Sequence, residues 1–290
     1  MTQERLTVFR HFEPARISTL LCDADGNLFP SEEPAFEASV EVTNRFLARF
    51  GVAARYTADE LRKATTGKNF RSTATDLAVQ AGVPVDEELA RGRPHARIAS
   101  GEDVATGRAL SAFELEQWVQ QERDHVTAHL SVTLNPDDRV RGPLNFLACR
   151  YDLAAVSSSA AVRLNACFTA TGLDSLIPAA VRFSAEDSLP VPTSKPDPAV
   201  YLLSGEVLGV APARGLAIED SVPGVLSAVA AGFVTVGNLM FVAPDERAAR
   251  SRELVEAGAS AITDSWSALA DFLPYVGSSG LLPAHQEAVG

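Results

Sequence analysis

Asp23 and Asp25 stand one alanine apart with Gly26 directly behind them, so two carboxylates share one tight turn. Further along the chain come Ser157, Lys195 within Ser194-Lys195-Pro196, and the acidic pair Glu219-Asp220 ahead of Ser221. Three of these groups follow short, largely apolar runs: Ile17 to Cys22 before Asp23, Leu153 to Val156 before Ser157, and Leu216 to Ile218 before Glu219. Such runs read as buried strands, and in an open parallel sheet ligands sit beyond the carboxyl ends of the strands. Carboxylates, a hydroxyl and an amine converging on one crevice are what metal-assisted phosphoryl transfer needs.

The elements that must position them alternate. Weaker strand candidates are Ala180 to Phe183, Phe233 to Val236 and Ala259 to Ile262, and between the strands lie four helical patterns that each stop at a glycine. These are Ala160 to Thr171, Pro198 to Leu208, Pro223 to Ala231 and Asp245 to Ala257. The expected fold class is α/β, a Rossmann-like parallel sheet core with helices on both faces. The stretch from about Ser31 to Asn135 breaks the alternation and carries no convincing strand. Thr57 to Glu60 and Ser111 to Glu114 have the capping-box pattern, Phe36, Val40, Leu47 and Phe50 share one helical face, and Leu115, Trp118, Val119, Val126 and Leu130 share another. An all-helical cap inserted at 31–139 follows, with the core formed from 1–30 and 140–276 and a Gly/Ser/Pro-bearing tail at 277–290. Arg91 to Gly107, rich in Gly, Arg and Ala, reads as a mobile loop that lengthens the insert.

Composition excludes several functions. The chain has 290 residues, 46% hydrophobic and 21% charged, with a formal net charge of −12. No basic surface is available for a nucleic-acid backbone or an anionic bilayer, so an anionic ligand must be small and captured locally. Pro223, Gly224, Gly232, Gly237 and Asn238 interrupt the longest uncharged run, Val222 to Pro244, so no membrane span is expected. Met1 to Arg16 mixes charges and has no apolar core, so no signal peptide is expected. Cys22, Cys149 and Cys167 are odd in number, widely spaced and in apolar surroundings, which reads as reduced, buried thiols and a cytoplasmic protein.

Taken together, Asp23-Ala24-Asp25-Gly26-Asn27-Leu28, Val156-Ser157, Ser194-Lys195-Pro196 and Glu219-Asp220-Ser221-Val222-Pro223-Gly224 resemble, in order, the four motifs of the haloacid dehalogenase-like hydrolase superfamily. The insert between the first two resembles the helical cap of its phosphatase and β-phosphoglucomutase branch. The resemblance implies that Asp23 is a nucleophile that becomes an aspartyl-phosphate and that Asp25 is the general acid and base. Ser157, with Ser158 beside it, is implied to bind a phosphoryl oxygen, and Lys195 to pair with Asp23 and the phosphoryl group. Carboxylates this close repel unless a cation lies between them, and Mg²⁺ is the natural ion. The resemblance implies that Asp23, the Asp25 carbonyl and Asp220 ligate it, with Glu219 either ligating or standing behind. The insert is implied to be a lid, and Thr66-Gly67-Lys68-Asn69-Phe70-Arg71 resembles its substrate-contacting loop, with Lys68, Asn69 and Arg71 as specificity residues.

Two positions depart from the pattern. The mutase carries a histidine shortly after the first motif, whereas Pro34-Ala35-Phe36 stand here and His11, His95, His125, His129 and His285 lie elsewhere in sequence. Water is therefore favoured over a sugar hydroxyl as acceptor. Asn27 also replaces the commoner Thr or Val, which puts the hydrogen bonding of that turn in question. The expected function is a Mg²⁺-dependent phosphatase of a small phosphorylated metabolite, a sugar or polyol phosphate. The alternatives are a phosphomutase and a non-catalytic phosphate-binding module on the same fold.

Overall fold

The computed structural model describes residues 5–65 and 69–273; the tail expected from residue 277 lies outside them. Among the described residues, seven strands form one sheet: β1 (Leu6–Val8), β2 (Thr19–Cys22), β3 (Asp152–Ser157), β4 (Arg182–Ser184), β5 (Gly215–Glu219), β6 (Val234–Asn238) and β7 (Ala261–Thr263). Their order is β1-β7-β6-β5-β2-β3-β4. Every run expected as a strand contributes one, shifted by a residue or two where turns claim the start. Ile17 closes a turn onto the Pro14 carbonyl, so β2 begins only at Thr19. A 3-10 turn at Ala179–Val181 likewise pushes β4 to Arg182.

The sheet is the parallel core expected, with one antiparallel strand at its edge. β1 pairs antiparallel with β7, Leu6 opposite Thr263, while the other pairings are parallel. From the central β2, the chain runs outward through β3 and β4 on one side and through β5, β6 and β7 on the other. That reversal beside β2 is a topological switch point, the place where open α/β sheets bind ligands at the carboxyl ends of their strands.

The described residues form two compact units, one drawn from 5–29, 136–164 and 172–273, the other from 30–135 with 165–171. The second holds α1 (Glu32–Arg49), α2 (Ala58–Thr65), α3 (Phe70–Gln80), α4 (Glu87–Ala90), α5 (Gly101–Ala105) and α6 (Ala112–Thr133). Its core joins Phe46, Leu47, Leu61, Leu77, Val85, Leu110 and Leu115, with Phe36, Val40, Phe50 and Trp118 packed around it. The Thr57 to Glu60 capping box forms in both directions. At Ser111 only half does: the hydroxyl accepts from the Glu114 amide, but the Glu114 carboxylate pairs with Arg49. The stretch expected as a mobile loop is built instead. Val85 bridges to Ile98 and Leu110, Arg93 pairs with Asp76, and Ser100 and Asp103 cap α5 reciprocally while Arg97 pairs with Asp103.

Around the sheet run α7 (Asp138–Ala148), α8 (Ala161–Thr171), α9 (Ala199–Leu208), α10 (Val222–Ala230), α11 (Arg247–Ala257) and α12 (Trp266–Phe272). Leu21, Ala154, Val156 and Ala217 point into one core cluster with Val200 and Tyr201 of α9 and Ala228 of α10. The alternate residues Leu20, Cys22, Ala155, Leu216 and Ile218 are fully buried too, so both faces of the sheet are covered. Of the three thiols, Cys22 and Cys167 are buried, whereas Cys149 is exposed: it ends α7 on the turn facing solvent, contrary to expectation.

Candidate functional site

Parallel pairing sets the first residues in place. Cys22 stands opposite Ala155 of β3 and Ile218 of β5, so Asp23, one residue on, emerges level with Val156 and Glu219. The Asp23 amide still donates to the Ile218 carbonyl at 2.9 Å, and the chain then turns at once. Gly26 makes that turn at φ 74°, and a Cβ there would fall 2.3 Å from Asp220 Oδ2. Glycine is therefore needed both for the left-handed backbone and for the approach of the Asp220 carboxylate.

Lys195 ties the site together from the loop before α9. Its ammonium donates to Asp23 Oδ1 at 2.5 Å, Glu219 Oε1 at 2.6 Å and the Val156 carbonyl at 2.7 Å, and its side chain is 5% exposed. Its backbone amide donates to Ser158 Oγ at 3.1 Å, which joins the loop to the end of β3. Burial pushes the Asp23 carboxyl up, against the pull of Lys195, and does the same to Glu219. Burial alone would work against the charge of Lys195, but the two carboxylates hold its ammonium well above the usual lysine range.

Asp25 is half-buried, and its Oδ2 accepts from Ser159 Oγ at 2.8 Å and Ser157 Oγ at 3.4 Å. Ser157 Oγ accepts in turn from the Ser159 amide at 3.0 Å. The structure thus brings Asp23, Asp25, Ser157, Ser158, Lys195, Glu219 and Asp220 into one cluster at the sheet's carboxyl end. Ser159 belongs to it as well. Its sequence signal is the run Ser157-Ser158-Ser159, which leaves the register open, and Ser157 stands first after Val156.

Asp23, Glu219 and Asp220 each place a carboxylate oxygen within 4.8 Å of the others, all three residues buried. An all-oxygen, acidic donor set fits a hard divalent cation. Glu219 is the least available of the three. Its Oε1 accepts from both Lys195 and the Tyr201 hydroxyl, while Gly224 lies so close that a Cβ would fall 1.7 Å from Oε2. α10 begins beside it with Ser221 as N-cap, its Oγ accepting from the Gly224 amide, and Pro223 in the first turn.

Asn27 settles the question its identity raised. Its fully buried amide donates to the Asp23 carbonyl at 2.8 Å and the Ile218 carbonyl at 3.2 Å, accepts from Asn238 of β6, and its own carbonyl accepts from Trp266 Nε1. The side chain therefore ties the Asp23 turn to β5 and β6, and the backbone carbonyl ties it to Trp266.

In the helical unit, Lys68 lies outside the described residues. Asn69 caps α3 by accepting from the Ser72 amide at 2.9 Å, and Arg71 forms an ion pair with Glu116 of α6. His125 Nε2 lies 2.8 Å from Glu41 and His129 Nε2 lies 3.6 Å from Glu37, both glutamates on α1.

No family model matches the chain. A CBBY-like protein from Arabidopsis thaliana is 48% identical over 46 residues, which is 16% of this chain and 14% of that protein, so the match spans a small part of either. Solved structures match over far more. A haloacid dehalogenase family hydrolase from Deinococcus radiodurans, with bound phosphate and sodium, aligns with TM-score 0.56 and 23% identity over 88% of this chain and 94% of its own. A β-phosphoglucomutase-like protein from Thermotoga maritima gives 0.57 and 23% over 85% and 94%. CbbY from Rhodobacter sphaeroides, a variant in complex with xylulose-1,5-bisphosphate, gives 0.58 and 19% over 87% and 95%. The chain has the haloacid dehalogenase-like fold, an α/β core with a helical insertion, and its structural neighbours include phosphatases and phosphomutases.

Proposed function

We propose that this protein is a Mg²⁺-dependent phosphatase of the haloacid dehalogenase-like type, hydrolysing a small phosphorylated metabolite through a phosphorylated Asp23. One observation carries the reading: Lys195 holds Asp23 at 2.5 Å on a turn that also bears Asp25 and receives Asp220 against Gly26.

In the first step the Asp23 carboxylate attacks phosphorus, the ester P–O bond breaks, and Asp25 gives its proton to the leaving oxygen. In the second, Asp25 takes a proton from water as the water oxygen attacks phosphorus, the bond to Asp23 breaks, and inorganic phosphate leaves. Ser157 donates to a phosphoryl oxygen once Asp25 turns from it to the substrate. Lys195 pulls against the burial that raises the Asp23 carboxyl and offsets charge on the phosphoryl oxygens. Asp23, Asp220 and the Asp25 carbonyl would hold the Mg²⁺, with Glu219 behind them. The ion, when bound, supplies positive charge that screens the carboxylates from the phosphate.

A sugar or polyol phosphate is the proposed substrate class, supported by the sugar bisphosphate bound in the CbbY structure. Lys68, Asn69 and Arg71 are the proposed specificity residues of the helical unit, and the free cysteines support a reducing, cytoplasmic setting. A panel of phosphorylated metabolites, assayed for both inorganic phosphate and rearranged ester, tests the reading. Phosphate release in proportion to substrate consumed, lost in excess chelator, is expected. Accumulation of an isomerised sugar phosphate without matching phosphate would reject it in favour of a mutase.

A further inference from the structure

We propose that Tyr201 is a positioning residue for Asp23, acting through Glu219 and Lys195. The proposal rests on Asp23 as nucleophile and names a residue that no motif contains.

The Lys195 ammonium has three N–H bonds, and each has its own acceptor: Asp23, Glu219 and the Val156 carbonyl. Two carboxylates thus draw on one ammonium. Glu219 Oε2 is buried with no hydrogen-bond partner among the described residues, so the donors to this carboxylate meet at Oε1. Gly224 blocks its other side, since even a Cβ there would collide with both oxygens. The Tyr201 hydroxyl donates to Oε1 at 2.5 Å and is the donor that shares Glu219 with Lys195. Its ring also walls the ammonium, 5.3 Å from the ring centroid. α9 holds it rigidly: Tyr201 is fully buried, with the Phe233 ring 6.1 Å away. Without the hydroxyl, Lys195 is the remaining donor to Glu219, and the ammonium is drawn toward it and off Asp23.

Tyr201→Phe keeps the ring and removes only this bond. In single turnovers of p-nitrophenyl phosphate with Mg²⁺, the phosphorylation rate should fall roughly tenfold, the order expected for losing a hydrogen bond to a charged group, with KM and thermal midpoint little changed. In a Glu219→Gln background the same substitution should cost much less, because a neutral amide does not compete for the ammonium. The Lys195 ammonium signal in ¹⁵N NMR reads its position without turnover and should shift, with faster proton exchange, in Tyr201→Phe. An unmoved ammonium signal, or an equal cost in both Glu219 backgrounds, would overturn the proposal. Absence of any ester hydrolysis by the wild type would instead overturn the phosphatase reading, and the ammonium signal would still decide the role of Tyr201.

Discussion

In the proposed mechanism Asp25 carries the proton in both half-reactions, and its side chain already sits on the hydroxyls of Ser157 and Ser159. Asp25→Ala should slow phosphorylation and hydrolysis alike by about 10²–10⁴-fold, the usual worth of a positioned acid-base group, while Mg²⁺ still binds through the residue 25 carbonyl. Rapid-quench kinetics with a parallel Mg²⁺ titration would check both halves. Gly26 makes a different kind of contribution. Gly26→Ala forces a side chain into left-handed backbone at about 1–2 kcal/mol and drives a methyl into the Asp220 carboxylate. Urea unfolding should show the lost stability, and calorimetric titration should show Mg²⁺ affinity lost beyond it. Unchanged Mg²⁺ affinity would remove Asp220 from the proposed ligand set.

Elements were legible in the sequence where a local signal sufficed. Apolar runs ending at Asp23, Ser157 and Glu219 became adjacent strand ends, because strand burial and turn chemistry are written within a few neighbouring residues. β1 is too short to read locally, because Leu6-Thr7-Val8 offers one alternation with two of its residues exposed, and pairing with the distant β7 makes it a strand. Ser159 and Tyr201 were missed because their importance lies in partners 134 and 18 residues away. The contacts of segment 91–107 are hard to read from sequence because they are ion pairs and a capping box closed by Asp103 rather than the Glu or Gln of the usual pattern.

That capping box makes a pH prediction. Hydrogen bonds from the Ser100 hydroxyl and amide, and then from Arg97, lower the Asp103 pKa to about 2. A depressed folded-state value means that the stabilisation is complete above the unfolded pKa of roughly 3.9 and is lost as pH falls toward about 2. Asp103→Asn should therefore be less stable than wild type at pH 6, with the gap closing as pH drops below about 4. Urea midpoints across that range measure it, and a gap independent of pH would refute the assignment.

At the scale of the whole molecule, a chain with net charge −12 gathers buried carboxylates at one point of its sheet, and Lys195 offsets Asp23 and Glu219 directly. A divalent cation that binds the folded site and not the unfolded chain must then raise stability by mass action, about 2.7 kcal/mol at a hundredfold excess over Kd. Thermal unfolding with increasing Mg²⁺ should show a rising midpoint, and the rise should vanish in Asp220→Asn.

The central claim is that Asp23 forms a covalent bond to phosphorus, since an amide in its place cannot form the acyl phosphate. The direct measurement is acid quench of the enzyme during turnover with Mg²⁺ and its best phosphorylated substrate, followed by mass mapping of peptides. The account predicts one phosphoryl group on the peptide containing Asp23, absent in Asp23→Asn together with nearly all turnover. Full turnover by Asp23→Asn, or a phosphoryl group on another residue during productive turnover, would contradict it.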